Sequence, residues 1–223
     1  MARILNIETT TTNCSVALGE NGIVVGVKEN NSSKYSHAES LHVFIGDLLE
    51  AHGWEVSDLD AVAVSKGPGS YTGLRIGVST AKGLCFAQEI PLIGISTLEA
   101  LSLQADLDVD YIVPMLDARR MEVYTAVFDA NGTEIVKVEA LVLDENSFSE
   151  LLAKARVAFI GDGVAKFQEL CSHPNAIMIE GKLPSATEMV CLSEQHYTVQ
   201  RFEDVAYFEP YYLKEFIAGG GKK

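Results

Sequence analysis

The amino-acid sequence predicts an α/β protein made of two lobes that share one plan. Three observations lead there. Short runs of β-branched and aliphatic residues alternate with segments of helical periodicity. Asn-Gly dipeptides, the signature of tight hairpins, stand between such runs at Asn21-Gly22 and Asn131-Gly132. The order of three hairpin-linked strands, a helix, a strand and a helix occurs twice. The first lobe is placed at residues 1–104 and the second at 105–223.

In the first lobe, Arg3 to Glu8 reads as a strand, a threonine turn follows, and Asn13 to Gly19 alternates as a second strand. Asn21-Gly22 turns the chain into a third, Ile23 to Lys28. Ser36 and Glu39 form a capping box, each side chain satisfying a free backbone N–H at a helix start. The helix behind it spaces Leu41, Phe44, Ile45, Leu48 and Leu49 along one buried face, and Gly53 ends it. Ala61 to Ser65 is the next strand, followed by a glycine-rich loop and a helix from about Gly73 to Gln88. The stretch EIPLIGIS is a short buried strand, and Ser96 with Glu99 caps another helix.

The second lobe begins near Asp110. Tyr111 to Leu116, Glu122 to Asp129 and Glu134 to Leu143 read as strands. Asn146 to Ala155 is helical, Val157 to Ile160 is a strand, and GDGVAKFQEL opens a helix. Thr187 to Thr198 is the last long helix, and the tail GGGKK is expected to be mobile. Two α/β lobes of one topology are the plan of the actin, sugar-kinase and Hsp70 superfamily, with its ribonuclease H-like sheet.

Composition narrows the function classes. Seventeen basic against 31 acidic residues give a formal charge of −14. Such a surface repels a nucleic-acid backbone, because that affinity comes mainly from neutralised phosphates. The chain is therefore expected to meet RNA only through a basic partner. No apolar stretch approaches the roughly 18–20 residues needed to cross a bilayer, and the opening reads as a strand rather than a secretory leader. A cytoplasmic protein with no membrane contact is expected. Cys14, Cys85, Cys171 and Cys191 are scattered in apolar contexts without a C-x-x-C pair, which opposes a zinc ribbon and suits small buried hydrophobes.

The glycine loop, Gly67-Pro68-Gly69-Ser70-Tyr71-Thr72-Gly73, lies between a strand and a helix start, where free N–H groups favour an anion. It lacks the Gly-Lys-Ser/Thr ending of a P-loop. Gly73, Gly77 and Ala81 recur every four residues and leave one side of the helix bare, with Thr80, Gly83 and Ala87 widening it. By analogy with membrane helices, such a stripe permits close helix–helix approach. The loop is thus expected to shape a helix pair; the bare face is either a purely internal contact or a partner surface, with Leu41, Ile45, Gly73, Gly77 and Ala81 at the interface on the second reading.

Several stretches together resemble the TsaB family. They are RILNIETTTTNCSVAL, HAESL, GPGSYTGLRIG, IPLIGISTLEAL, LDARRMEVYTAVF and the closing PYYLK at Pro210 to Lys214. The resemblance implies a non-catalytic subunit for threonylcarbamoyl modification of the tRNA adenosine beside the anticodon. It implies pairing with a TsaD-like catalytic subunit, recruitment of a TsaE-like ATPase, a homodimer when alone, and tRNA contact only through the complex. It implies no cofactor. An older label for the family, glycoprotease, is opposed by the residues. The catalytic paralogue carries His-Met-Glu-Gly-His where this chain has Thr97-Leu98-Glu99-Ala100-Leu101, and none of the five histidines forms an i, i+4 pair.

Actin-like ATPases hold phosphates between two glycine-rich hairpins. Here the first strand ends in Glu8, where most of the family has Asp, and the second-lobe hairpin reads Asp117-Ala118-Arg119-Arg120-Met121. Bulky charged side chains hinder closure of backbone N–H groups on a phosphate. Glu8, Thr9, Thr10, Gly67, Gly69, Gly161 and Gly163 are therefore expected to form at most a degenerate nucleotide site. Asp117, Arg119 and Glu122 are either a contact to partner or tRNA or a local ion-pair network. The alternative to the accessory subunit is an actin-fold kinase or ATPase acting on a small molecule.

Overall fold

A computed structural model describes residues 2–31 and 37–214. The Ser36 capping box and the GGGKK tail lie outside the described residues.

The first sheet joins β1 (Arg3–Glu8), β2 (Asn13–Glu20), β3 (Ile23–Asn31), β4 (Ala61–Gly67) and β5 (Leu92–Ser96) in the order β3-β2-β1-β4-β5. The second joins β6 (Tyr111–Asp117), β7 (Glu122–Asp129), β8 (Glu134–Val142), β9 (Val157–Gly161) and β10 (Ala176–Glu180) in the order β8-β7-β6-β9-β10. Each sheet has its three meander strands antiparallel and its last two parallel to the first. One topology is therefore built twice, as an actin-like two-lobe fold.

Among the described residues six α-helices complete it: α1 (His37–His52), α2 (Tyr71–Gln88), α3 (Thr97–Ser102), α4 (Ser149–Leu152), α5 (Val164–Gln168) and α6 (Ala186–Thr198). Alternation along β1 sends Leu5 and Ile7 to one face of the first sheet, where they meet Leu41, Ile45, Leu48 and Leu49 of α1 and Val78, Ala81 and Cys85 of α2. Ile4, with Ala17, Ala61, Ala63, Ile93 and Ile95, lines the other face and receives Met189, Val190 and Leu192 of α6. Small residues let α6 lie close there: a Cβ on Gly19 would stand 2.6 Å from Val190 Cγ1. On the second sheet, α4 and α5 cover one face through Leu152 and Phe167, with Phe148, Phe159 and Phe167 packed ring on ring. Leu98 and Leu101 of α3 cover the other, against Leu116, Ala126, Phe128 and Ile160. The third helix of each half thus crosses to the sheet of the other half.

The predicted elements are present with shifted ends, and two differences have an identifiable cause. Asp144 Oδ1 accepts from Asn146 N at 2.9 Å, and Phe148 takes a left-handed φ of 59°, so α4 starts only at Ser149. Strand β10 was not anticipated; it is half-buried along four of its five residues and gains its identity from parallel pairing with β9. At the first hairpin Asn21 and Gly22 have φ of 54° and 75°, as a two-residue mirror-image turn requires. Phe44 is only half-buried, unlike its four companions on α1. Among the described residues no helix is long and apolar enough to cross a membrane.

Candidate functional site

The ends of β1 and β4 bring together the threonine turn and the glycine loop. Glu8 closes β1 on the α6 side of the sheet and is fully buried. Its Oε1 accepts from Thr10 N and Thr10 Oγ1, both at 2.5 Å, and its Oε2 accepts from Ser65 Oγ. Burial pushes its carboxyl up, with the Ser65 and Thr10 hydrogen bonds pulling the other way. Both oxygens are thus used by the chain itself.

Thr9, Thr10 and Thr11 are buried as well. Thr9 Oγ1 donates to Gly73 O at 2.8 Å, and Ser70 N donates to Thr10 O at 2.7 Å. These bonds clamp the start of α2 onto the threonine turn. A Cβ on Gly73 would lie 1.9 Å from Thr9 O, on Gly69 2.5 Å from Thr10 Cβ, and on Gly77 2.4 Å from Thr9 Oγ1. The glycines thus let the loop and the start of α2 lie directly against the threonine turn.

Of the two readings of the small-residue stripe, an internal contact or a partner surface, these contacts fit the internal one. Gly73, Gly77 and Ala81 face the threonine turn and the core of their own lobe, and Leu41 and Ile45 are buried beside them. The stripe fits a helix against a strand end rather than against a second helix. None of these five side positions is presented outward.

Gly161 and Gly163 belong to the second half. Gly161 ends β9 as Gly67 ends β4, and Gly163 stands two residues on as Gly69 does. Gly67 and Gly161 have φ of 109° and 128°, and Cβ atoms there would meet Tyr211 O at 2.8 Å and Met115 O at 2.2 Å. Gly163 packs against Val123 and Met115.

At the second hairpin, Asp117 Oδ1 accepts from Arg119 N at 2.5 Å and from Lys166 Nζ at 2.6 Å, and Asp162 Oδ1 accepts from Asp117 N at 2.9 Å. Glu122 pairs with Lys214. Asp117 and Glu122 do join ion pairs, but with lysines rather than with Arg119. The closing segment spans both lobes: Tyr211 N donates to Lys66 O at 2.7 Å, Tyr212 packs on Tyr71 with ring centres 5.0 Å apart, and Lys214 reaches Glu122.

The described residues hold no group of three or more His, Cys, Asp and Glu suited to a metal ion. His37 Nε2 lies 2.7 Å from Thr11 O, and the two ring nitrogens of His52 each lie 2.8 Å from a carbonyl, of Leu48 and Val25. Both are placed inside the first lobe as structural groups. Cys14 and Cys85 are buried, whereas Cys171 is half-buried and Cys191 is exposed, which corrects the expectation of four buried thiols.

What the first lobe presents outward is the far side of α1 and α2. Between them runs a groove of about 490 Å³ lined by Ala38, His42, Tyr71, Arg75, Ile76 and Ser79, among others. Phe86 on α2 is 80% exposed and Val43 on α1 is 55% exposed. A Cβ on Gly46 or Gly83 would meet nothing within 4 Å. The periodicity that located the buried faces of these helices implied this outer face by subtraction.

A family model described as TsaD, tRNA N6-adenosine threonylcarbamoyltransferase, matches residues 26–222. The tRNA threonylcarbamoyladenosine biosynthesis protein TsaB of Escherichia coli is 31% identical over 224 residues, covering 97% of this chain and 96% of that protein. A tRNA N6-adenosine threonylcarbamoyltransferase of Solidesulfovibrio magneticus is 32% identical over 151 residues, 61% of this chain and 38% of that protein. Among solved structures, YeaZ from Pseudomonas aeruginosa superposes with a TM-score of 0.83 at 27% identity, covering 96% of this chain and all of that one. Sequence similarity over nearly the whole length, the doubled sheet and the matching fold lead to one conclusion: the chain belongs to the TsaB family, a branch of the proteins that the TsaD model describes.

Proposed function

We propose that this protein is a non-catalytic subunit required for threonylcarbamoyl modification of the tRNA adenosine next to the anticodon. It acts by binding and supporting a TsaD-like catalytic partner. The observation that carries this reading is the uncovered outer face of α1 and α2, with Phe86 80% exposed beside open glycines. Large exposed aromatic residues near a groove are the usual anchors of a protein interface. The cleft residues that an ATPase would devote to metal and phosphate are instead engaged with each other, Glu8 with Thr10 and Ser65, Thr9 with Gly73.

On this reading the same outer face forms a homodimer when the partner is absent. A TsaE-like ATPase joins the assembled pair, tRNA is met through the complex, and the protein works in the cytoplasm. The two lobes, 1–104 and 105–223, then divide the work: the first carries the partner helices and the second adjoins the cleft.

The test is binding of the purified protein to a TsaD-like subunit from the same cell, with Phe86→Asp as the variant. Phe86 is exposed in the free chain, so its folding should be unaffected. Loss of an aromatic anchor should weaken the pair by about thirtyfold or more. Unchanged affinity would remove Phe86 from the interface. Sustained MgATP turnover by the protein alone would overturn the accessory role.

A further inference from the structure

We infer that the β6–β7 hairpin tip is an RNA phosphate contact, through the guanidinium groups of Arg119 and Arg120. The inference rests on the reading above, that the protein works on tRNA within a complex, and names the residues by which this chain touches it.

Three observations converge on the tip. First, Arg119 and Arg120 are exposed, and neither guanidinium makes a hydrogen bond or ion pair with the described residues. Second, the carboxylates at the feet of the hairpin are already matched. Asp117 is held by Lys166 and Glu122 by Lys214, and Asp162 is turned onto Asp117 N. Two lysines are thus spent on neutralising the base of the hairpin, and the arginine charge at the tip is left uncompensated on a chain of net charge −14. Third, both arginines adopt left-handed φ, 69° and 53°. Side chains with a Cβ rarely take that conformation, and glycine or asparagine would hold such a turn with less strain. Unfavourable backbone at two adjacent exposed arginines is the pattern expected where a ligand, not the turn, selects the residue.

Arginine forks match phosphate oxygens in a bidentate way. A single basic tip on an acidic body suits a contact that positions RNA rather than one that supplies bulk affinity. The other phosphate source is a free nucleotide. The tip replaces the hairpin that holds phosphates in actin-like ATPases, but its arginines point to exposure rather than to a closed cradle.

The experiment uses the complex with the TsaD-like subunit and an unmodified tRNA transcript. Affinity is measured against salt for the parent, for Arg119→Asn/Arg120→Gly, and for Arg119→Lys/Arg120→Lys. The first variant installs residues that favour the left-handed turn, so misfolding cannot account for a loss. Two lost phosphate contacts should make the log–log salt slope shallower by about 1.4–1.8. The affinity at physiological salt should fall roughly tenfold, with complex assembly unchanged. The lysine variant should restore most of the slope. An unchanged slope overturns the inference. So does loss of assembly, which would make the tip a protein contact. A weakened non-hydrolysable ATP analogue with unaltered tRNA slope would assign the arginines to a nucleotide. Failure of the parent complex to form or to bind tRNA would sink the underlying reading itself, and would show before any variant is made.

Discussion

Replacing Gly73 by alanine tests the assignment of the small-residue stripe most directly. The added Cβ would lie 1.9 Å from Thr9 O, well inside any carbon–oxygen contact. The obstacle is backbone, and it cannot swing away. Thr9 is 1% exposed, and its turn is tied down by Thr9 Oγ1 to Gly73 O, Ser70 N to Thr10 O and the Glu8 bonds to Thr10. Overpacking of this kind costs about 1–3 kcal/mol, and losing the Thr9 hydrogen bond adds about 0.5–1.5 kcal/mol. Alanine returns up to about 1 kcal/mol through helix propensity. The net loss is about 2–3 kcal/mol, and for a chain of this size the melting temperature should fall by about 5–10 °C. Gly83→Ala on the same helix is the control, because a Cβ there meets nothing within 4 Å. That change should raise the melting temperature by about 2–4 °C through helix propensity alone. Thermal unfolding of the two variants, read beside partner binding, decides the matter. If Gly73→Ala is as stable as Gly83→Ala, the clamp between the threonine turn and α2 is not what the stripe serves.

Glu8→Gln should flatten the pH dependence of stability. A carboxyl whose folded pKa stands above its unfolded value of 4.5 favours the folded state when protonated. That contribution is complete below the unfolded value and is lost as pH rises through the folded one, so the parent should lose ground to the variant as pH rises above 4.5. A difference independent of pH, in urea titrations across that range, would show that Glu8 is not buried as described. Thiol titration at pH 8 should find the exposed Cys191 the first to react in the folded protein, slowed because partial burial pushes its thiol up as well, and Cys14 and Cys85 silent until denaturation. Burial pushes the latter two up to about 11 and about 12 and hides them from the reagent; prompt reaction of either in the folded protein would contradict their place in the core.

Much of this molecule was determined by local sequence alone. Strand β2 follows from alternation, β1 and β7 from short apolar runs between turns, α1 from three- and four-residue spacing, and the β2–β3 hairpin from Asn21-Gly22. Each rests on interactions between residues close in the chain, which a linear reading can see. The doubling of the plan, and with it the two-lobe fold, was legible for the same reason. What the linear reading missed depends on contacts across the chain. Strand β10 is defined by its ladder with β9. The crossing of α3 and α6 to opposite sheets is settled by packing, α6 against Ile4, Ile93 and Ile95 of the first sheet and α3 against Leu116, Phe128 and Ile160 of the second. Gly73 and Gly77 illustrate the difference most sharply. Their spacing announces a close neighbour but is silent on its identity, because a missing side chain marks only where something approaches. The neighbour is the threonine turn at the end of β1, 64 residues from Gly73 in the case of Thr9. Only the tertiary structure, by bringing the ends of β1 and β4 side by side, decided that the stripe faces inward and left the opposite side of α1 and α2 uncovered.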